Sequence, residues 1–156
     1  MKIGDAMLED AAAILDLQRT AYRSEADLYN DFNISPLRES LEELSALFAS
    51  HVFLKAVIDG AIAGSVRARS DGTTCFIGRL IVAPDHQGRG IGSRLMEAIE
   101  ARFPAVERFE LFTGHKSEFN LRFYEKRGYR EFMREPASDS LTLVFMEKEN
   151  RPEKGN

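Results

Sequence analysis

Apolar residues recur along this chain with two periods, and the change of period divides it into helices and strands. Ala11, Ile14, Leu15, Ala21 and Tyr22 share one stripe at a spacing near 3.6, which predicts an amphipathic helix after a short edge strand at residues 1–3. Residues 23–33 are polar and turn-rich, with aromatics scattered among them. Ser35-Pro36 opens a second helix, because serine caps a helix and proline suits its first turn. Leu37, Leu41, Leu44 and Phe48 line one face of that helix. From His51 the period falls to two. Strands at 51–59, 61–70 and 74–82 are joined by Asp59-Gly60 and Asp71-Gly72, both hairpin signals, and predict an antiparallel meander. Ile91, Leu95, Met96, Ile99 and Phe103 form the apolar face of a further helix, with Pro104 just past its end. A strand follows at 108–112, with Gly114 as a breaker. Ser117 is expected to cap a helix that runs to Arg127, with Gly128 as its stop. Residues 129–132 and 141–146 read as a last strand pair, and the charged residues from Glu147 onward as a frayed tail.

The resulting order is β, α, α, β, β, β, α, β, α, β, β. It is an α+β, or mixed α/β, layout: one mostly antiparallel twisted sheet of six to seven strands and about four helices. The strand–helix–strand unit around residues 80–112 supplies a parallel pair within it. No repeat, low-complexity stretch or linker divides the chain, so 1–149 is expected to be a single domain and 150–156 a charged tail.

Composition narrows the class. The 156 residues are 44% hydrophobic, enough for one core. A net charge of −4 weighs against nucleic acid as a partner. The chain has no long apolar run and no apolar leader, so neither a membrane span nor a signal peptide is expected. Cys75 is the only cysteine, which rules out an internal disulfide and a cysteine-rich zinc site. His51, His86 and His115 lack ligand-like clustering, so no metal is expected. Together these features suggest a cytoplasmic protein. Exposed terminal strands are suited to pairing between chains, which leaves a homodimer open.

The chemistry concentrates in Leu80-Ile-Val-Ala-Pro-Asp-His-Gln-Gly-Arg-Gly-Ile-Gly-Ser93. An apolar strand runs into a loop with Gly88, Gly90 and Gly92, and a helix starts at once. Bare N–H groups at a helix N-terminus make an anion site suited to a phosphate or pyrophosphate. A Walker loop needs a lysine, and none occurs between Lys55 and Lys116. The third glycine of a dinucleotide fingerprint is replaced by Ser93, and the loop follows a meander rather than the first strand of a parallel series.

Gln87-Gly-Arg-Gly90-Ile-Gly92 resembles the Gln/Arg-x-x-Gly-x-Gly/Ala signature of the GNAT N-acetyltransferases. Asn120-Leu-Arg-Phe-Tyr124-Glu-Lys-Arg-Gly128-Tyr129 is similar to that family's second motif, and Glu9-Asp10-Ala-Ala-Ala-Ile-Leu to the start of its first helix. The resemblance spans almost the whole chain in the right order. It implies acetyl-CoA as cosubstrate, bound where two parallel strands splay apart. Backbone groups of Gln87, Gly88, Arg89, Gly90, Ile91 and Gly92 would then hold the pyrophosphate, with Ser93 and Arg89 adding side-chain contacts. The strand edge at Leu80, Ile81 and Val82 would pair with the pantetheine arm, and a backbone N–H near Val82 would polarise the thioester carbonyl.

The implied function is an N-acetyltransferase. A primary amine of a small molecule or peptide attacks the thioester directly in a ternary complex, with Tyr124 as general acid and Asn120 contacting CoA. Many family members carry a glutamate base six residues before the position of Val82; here that position is Phe76. His115 is then the candidate base; Glu110 sits within a strand that could face the cleft, and His86, next to the glycine loop, is placed to touch CoA rather than the acceptor. Phe76 also keeps open an alternative, a non-catalytic acyl-CoA-binding sensor module.

For the acceptor, Tyr22, Glu25, Tyr29 and Phe32, with Asp27 and Asp31 between them, would suit a cationic amine. Arg67, Arg69 and Arg79 on neighbouring strands would instead suit an acceptor that carries a carboxylate. The sequence does not choose between them.

Overall fold

The structure is a computed structural model and describes residues 1–150. Strand β1 (Lys2–Asp5) is followed by helices α1 (Ala11–Ala21), α2 (Arg23–Tyr29), α3 (Ser35–Arg38) and α4 (Leu41–Ala46). The meander comes next, as β2 (Val52–Ile58), β3 (Ala61–Ser70) and β4 (Thr74–Val82). The chain ends with α5 (Ile91–Ala101), β5 (Arg108–Gly114), α6 (Glu118–Lys126), β6 (Arg130–Pro136) and β7 (Thr142–Glu149). The strands form one seven-stranded sheet in the order β1-β2-β3-β4-β5-β7-β6, with β1 and β6 at the edges. Every neighbouring pair is antiparallel except β4–β5. No helix among the described residues is long and apolar enough to cross a membrane.

Alternation puts opposite residues of each strand on opposite faces of the sheet. Leu54, Val66, Ala68, Cys75, Ile77, Phe109, Leu111, Val144 and Met146 pack against Ile91, Leu95, Met96 and Ile99 of α5. On the other face Phe53 packs with Ala11, Ile14, Leu15 and Leu44 from α1 and α4. Burial pushes the Cys75 thiol up to about 12, so it behaves as a small core residue. Gly64 sits where α5 crosses the sheet; a Cβ there would meet Ile91, Leu95 and the Ile81 carbonyl at 3.0 Å.

The meander turns as expected at Asp59 and Gly60, both with positive φ (51° and 80°), the backbone of a type I′ hairpin. Three expectations are corrected. Residues 23–29, read as turn-rich, form helix α2, because Ala26 and Tyr29 fall on one face and are buried. The helix opened by Ser35-Pro36 breaks at Glu39, whose backbone is extended (φ −62°, ψ 129°). There Ser40 starts α4 with a reciprocal capping box: its Oγ accepts from the Glu43 N–H at 3.0 Å, and its own N–H donates to Glu43 at 2.9 Å. Lastly, Glu147 to Glu149 are not frayed; they pair with β5 up to Arg108↔Glu149. The rest of the expected tail, 151–156, lies outside the described residues.

Candidate active site

The site begins where the sheet opens. Parallel pairing of β4 with β5 is limited to Thr74↔Arg108, Cys75↔Phe109 and Phe76↔Glu110. Beyond that rung β4 stays bonded to β3, and β5 to β7, so the facing edges from Ile77 to Val82 and from Leu111 to Gly114 separate. A β-bulge accentuates the split: Arg79 and Leu80 of β4 lie opposite Val66 alone, and Arg79 takes a left-handed backbone (φ 49°). The gap holds a cavity of about 1300 Å³. Open strand edges present unpaired N–H and C=O groups that an extended ligand can satisfy.

Gln87, at the start of the glycine loop, lines one end of the cavity, whereas Gly88, Arg89, Gly90, Gly92 and Ser93 lie outside its lining. Gly88 and Gly90 both have positive φ (79° and 78°), which explains glycine at these two positions. A Cβ at Gly92 would make only an ordinary 3.6 Å contact with Phe123. The first hydrogen bond of α5 runs from the Arg94 N–H to the Gly90 carbonyl at 3.1 Å, so the N–H groups of Ile91, Gly92 and Ser93 are left to point out of the helix end. Free N–H groups and the positive end of a helix dipole are an arrangement suited to an anion.

The opposite wall joins α2 to α6. The Lys116 N–H donates to the Tyr29 hydroxyl at 2.8 Å, and Tyr29 lies 3.0 Å from Ser117 Oγ. Ser117 in turn donates to Glu25 at 2.7 Å. Since the serine proton goes to the carboxylate, the Tyr29 proton goes to serine. Asn120 Nδ2 donates to Glu25 at 3.2 Å and to Thr113 Oγ1 at 3.3 Å. Glu25 therefore projects from α2 with two donors fixing its oxygens. Tyr124 stands next to this network with its side chain buried, its ring edge-on to Phe123 and Tyr129. Burial, with the neighbouring Tyr22 and Glu25, pushes the Tyr124 phenol well above its ordinary value. It keeps its proton at neutral pH.

The far end is cationic. Arg67 of β3 makes a two-pronged pair with Glu39, both contacts at 3.1 Å. Gln18 Nε2 donates to the same carboxylate at 2.8 Å, and Arg79 Nε lies 3.6 Å from it. Burial works against ionisation of Glu39, but the Arg67 and Gln18 hydrogen bonds and the two guanidinium charges outweigh it, so its pKa is lowered. Arg69 lies over the Phe76 ring at 4.5 Å. Half-buried Tyr22 sits between the two ends: burial and Glu25 raise its pKa, and Arg79 and Arg67 oppose them.

The sequence model of the acetyltransferase (GNAT) family matches residues 11–129. The chain belongs to the GNAT acetyltransferase family. Solved structures agree with this in fold. This GNAT protein is similar to smu.2055 from Streptococcus mutans UA159 at TM-score 0.83 and 18% identity, covering 97% of this chain and 100% of that one. It is also similar to the PaiA N-acetyltransferase of Thermoplasma acidophilum, solved with coenzyme A, at TM-score 0.75 and 20% identity over 96% and 99% of the two chains. The yncA protein of Salmonella typhimurium, a putative acetyltransferase solved with acetyl-CoA, gives TM-score 0.74 and 19% identity over 100% and 97%. No curated protein shows significant sequence similarity to the chain.

In this GNAT domain the cavity brings together Leu80, Ile81, Val82, Gln87, Tyr22, Glu25, Tyr29, Asn120 and Tyr124. Ile91 puts its side chain in the core rather than toward the loop, leaving only its backbone available. Phe32 is 62% exposed and lies outside the cavity lining. His115 is also outside the lining. Its Nδ1 lies 3.0 Å from the Thr142 nitrogen and 3.2 Å from the Thr142 oxygen, engaged with the β7 backbone. Ser117 makes no capping bond to α6, because its hydroxyl is committed to Glu25.

The residues that sequence reasoning missed are Gln18, Glu39, Ser117 and Gly114. Glu39 had a signal, the Ser40-x-x-Glu43 box that ends one helix and begins the next. Gly114 had none: a Cβ there would fall 2.0 Å from the Tyr29 hydroxyl oxygen, a contact between residues far apart in the chain.

Proposed function

We propose that this acetyltransferase moves an acetyl group from acetyl-CoA to a primary amine by direct attack in a ternary complex. The observation that supports this most is the open edge between β4 and β5, which runs from the glycine loop to the Glu25–Tyr124 pair. The N–H groups from Gln87 to Gly92 hold the pyrophosphate, and the free edge at Leu80 to Val82 takes the pantetheine as an added strand. A backbone N–H on that edge polarises the thioester carbonyl. The amine nitrogen bonds to the carbonyl carbon, the carbon–sulfur bond breaks, and the thiolate leaves with a proton from Tyr124. Among the described residues no protein group hydrogen-bonds the Tyr124 hydroxyl, so it is free to donate.

The amine must shed a proton. Glu25, fixed by Ser117 and Asn120 inside the cavity, is better placed to accept it than His115, whose ring is held by β7. Phe76, covered by Arg69, takes no part in proton transfer. With a single buried cysteine and no membrane-spanning helix among the described residues, we place the reaction in the cytoplasm.

The test is thiol release from acetyl-CoA over a panel of amines, with calorimetric titration of CoA in parallel. Turnover with one amine class is the expected result. Tight CoA binding with no turnover on any amine would favour a sensor module. No CoA binding would remove the assignment of the glycine loop.

A further inference from the structure

The cavity is electrically two-ended. Its lining includes Arg38, Arg67, Arg69 and Arg79; Glu39 pairs with Arg67 at 3.1 Å and lies 3.6 Å from Arg79. Among the described residues no carboxylate comes within 4.0 Å of Arg38 or Arg69. Arg79 Nε is buried without a hydrogen-bond partner, its contact to Glu39 being 3.6 Å. Arg67 and Arg79 thus share the one carboxylate of Glu39 where the cleft is partly desolvated and an unmatched guanidinium is costly, while Arg38 and Arg69 stand exposed. Guanidinium groups match carboxylates with short, charge-assisted hydrogen bonds. The Arg69 plane is held over Phe76 at 4.5 Å, so part of the ordering cost of such a contact is already met.

The other end carries the fixed carboxylate of Glu25, beside Tyr124. Tyr22 lines the cavity, and the charges of Arg79, Glu25 and Arg67 act on its phenol. Arg69 is not poised for the CoA phosphates. Arg69 pairs with Phe76, six residues before the strand end at Val82 that leads to the glycine loop. That separation is roughly 20 Å along an extended strand.

We infer that the acceptor carries a carboxylate as well as its amine, and is an amino acid. Its ammonium lies at Glu25 and its carboxylate at Arg69 and Arg79. This deepens the N-acetyltransferase assignment and rests on it for the chemistry, but not for the binding. A polyamine fits Glu25 and is repelled by the arginines. A simple carboxylic acid fits the arginines and brings no nucleophile.

The probes are the free α-amino acids, their amides, their decarboxylated amines, and β-alanine and γ-aminobutyrate as wider-spaced homologues. Turnover is read by thiol release and binding by calorimetry on the CoA-loaded protein. At least one free amino acid is expected to exceed its amide about tenfold or more in kcat/KM. The amide has the less basic amine, more often unprotonated, so a slower amide reflects the missing carboxylate. Arg69→Gln, at an exposed position, should raise KM for the amino acid about tenfold. It should leave KM for the amide and the affinity for CoA unchanged. Arg79→Lys keeps the charge and should lose less than Arg79→Gln.

An amide or a decarboxylated amine that reacts as well as its parent acid overturns the inference and leaves the acetyltransferase standing. Amino acid binding that depends on Arg69, without turnover, keeps the inference and overturns the enzyme. No binding by any carboxylate-bearing probe overturns the inference outright.

Discussion

At the scale of single residues, the roles proposed for Tyr124 and Glu25 depend on what surrounds them. Burial beside Glu25 raises the Tyr124 pKa, so the phenol stays protonated across the neutral range and remains a donor. Tyr124→Phe removes that proton and keeps the ring's packing against Phe123 and Tyr129. Turnover is expected to fall roughly 100-fold, the usual scale for a general acid, with acetyl-CoA affinity unchanged by titration. The pH–rate profile of the parent should show no alkaline decline from this group below the ordinary tyrosine range. A decline near neutrality that Tyr124→Phe abolishes would contradict the environment described. Tyr124, Asn120 and Glu25 were legible in the sequence as candidates. Their partnership was not, because Ser117 and Tyr29 meet across 88 positions of chain.

Secondary-structure elements place these groups, and their ends matter most. The break between α3 and α4 frees Glu39 from a helical backbone and sends its carboxylate to Arg67. Ser40 maintains the break by capping α4. Ser40→Ala should cost about 1 kcal/mol of stability, read as a shift in the urea midpoint. It should also weaken the Arg67–Glu39 pair. A variant as stable as the parent would mean that α4 is held by packing alone. The meander was readable because each turn carries its own chemistry, as Asp59-Gly60 shows. Helix α2 was not, because only two of its seven residues, Ala26 and Tyr29, are buried. Two positions are too few to set a period.

For the whole molecule, the splayed sheet and the charge pairs packed beside it give stability a pH dependence. The folded pKa of Glu39 lies below its ordinary value, so its contribution is fully present above that value. It is lost as pH falls through the lower folded pKa. Glu39→Gln leaves Arg67 and Arg79 without their carboxylate and should cost roughly 2 kcal/mol near neutral pH. The gap in unfolding free energy between parent and variant should narrow as pH falls below 4. A gap constant from pH 7 to pH 3 would show that the carboxylate's charge contributes nothing.

The sequence by itself determined the meander, the glycine loop that leads into α5 and the family, because periodicity, turn residues and helix starts are local properties. Only the tertiary structure decided where β4 and β5 part, which carboxylates line the cavity, that His115 lies outside its lining, and that four arginines come into it. Each of these depends on contacts between residues far apart in the chain. Their energies come from burial and from the distance between charges, and neither quantity exists until the sheet and helices have packed.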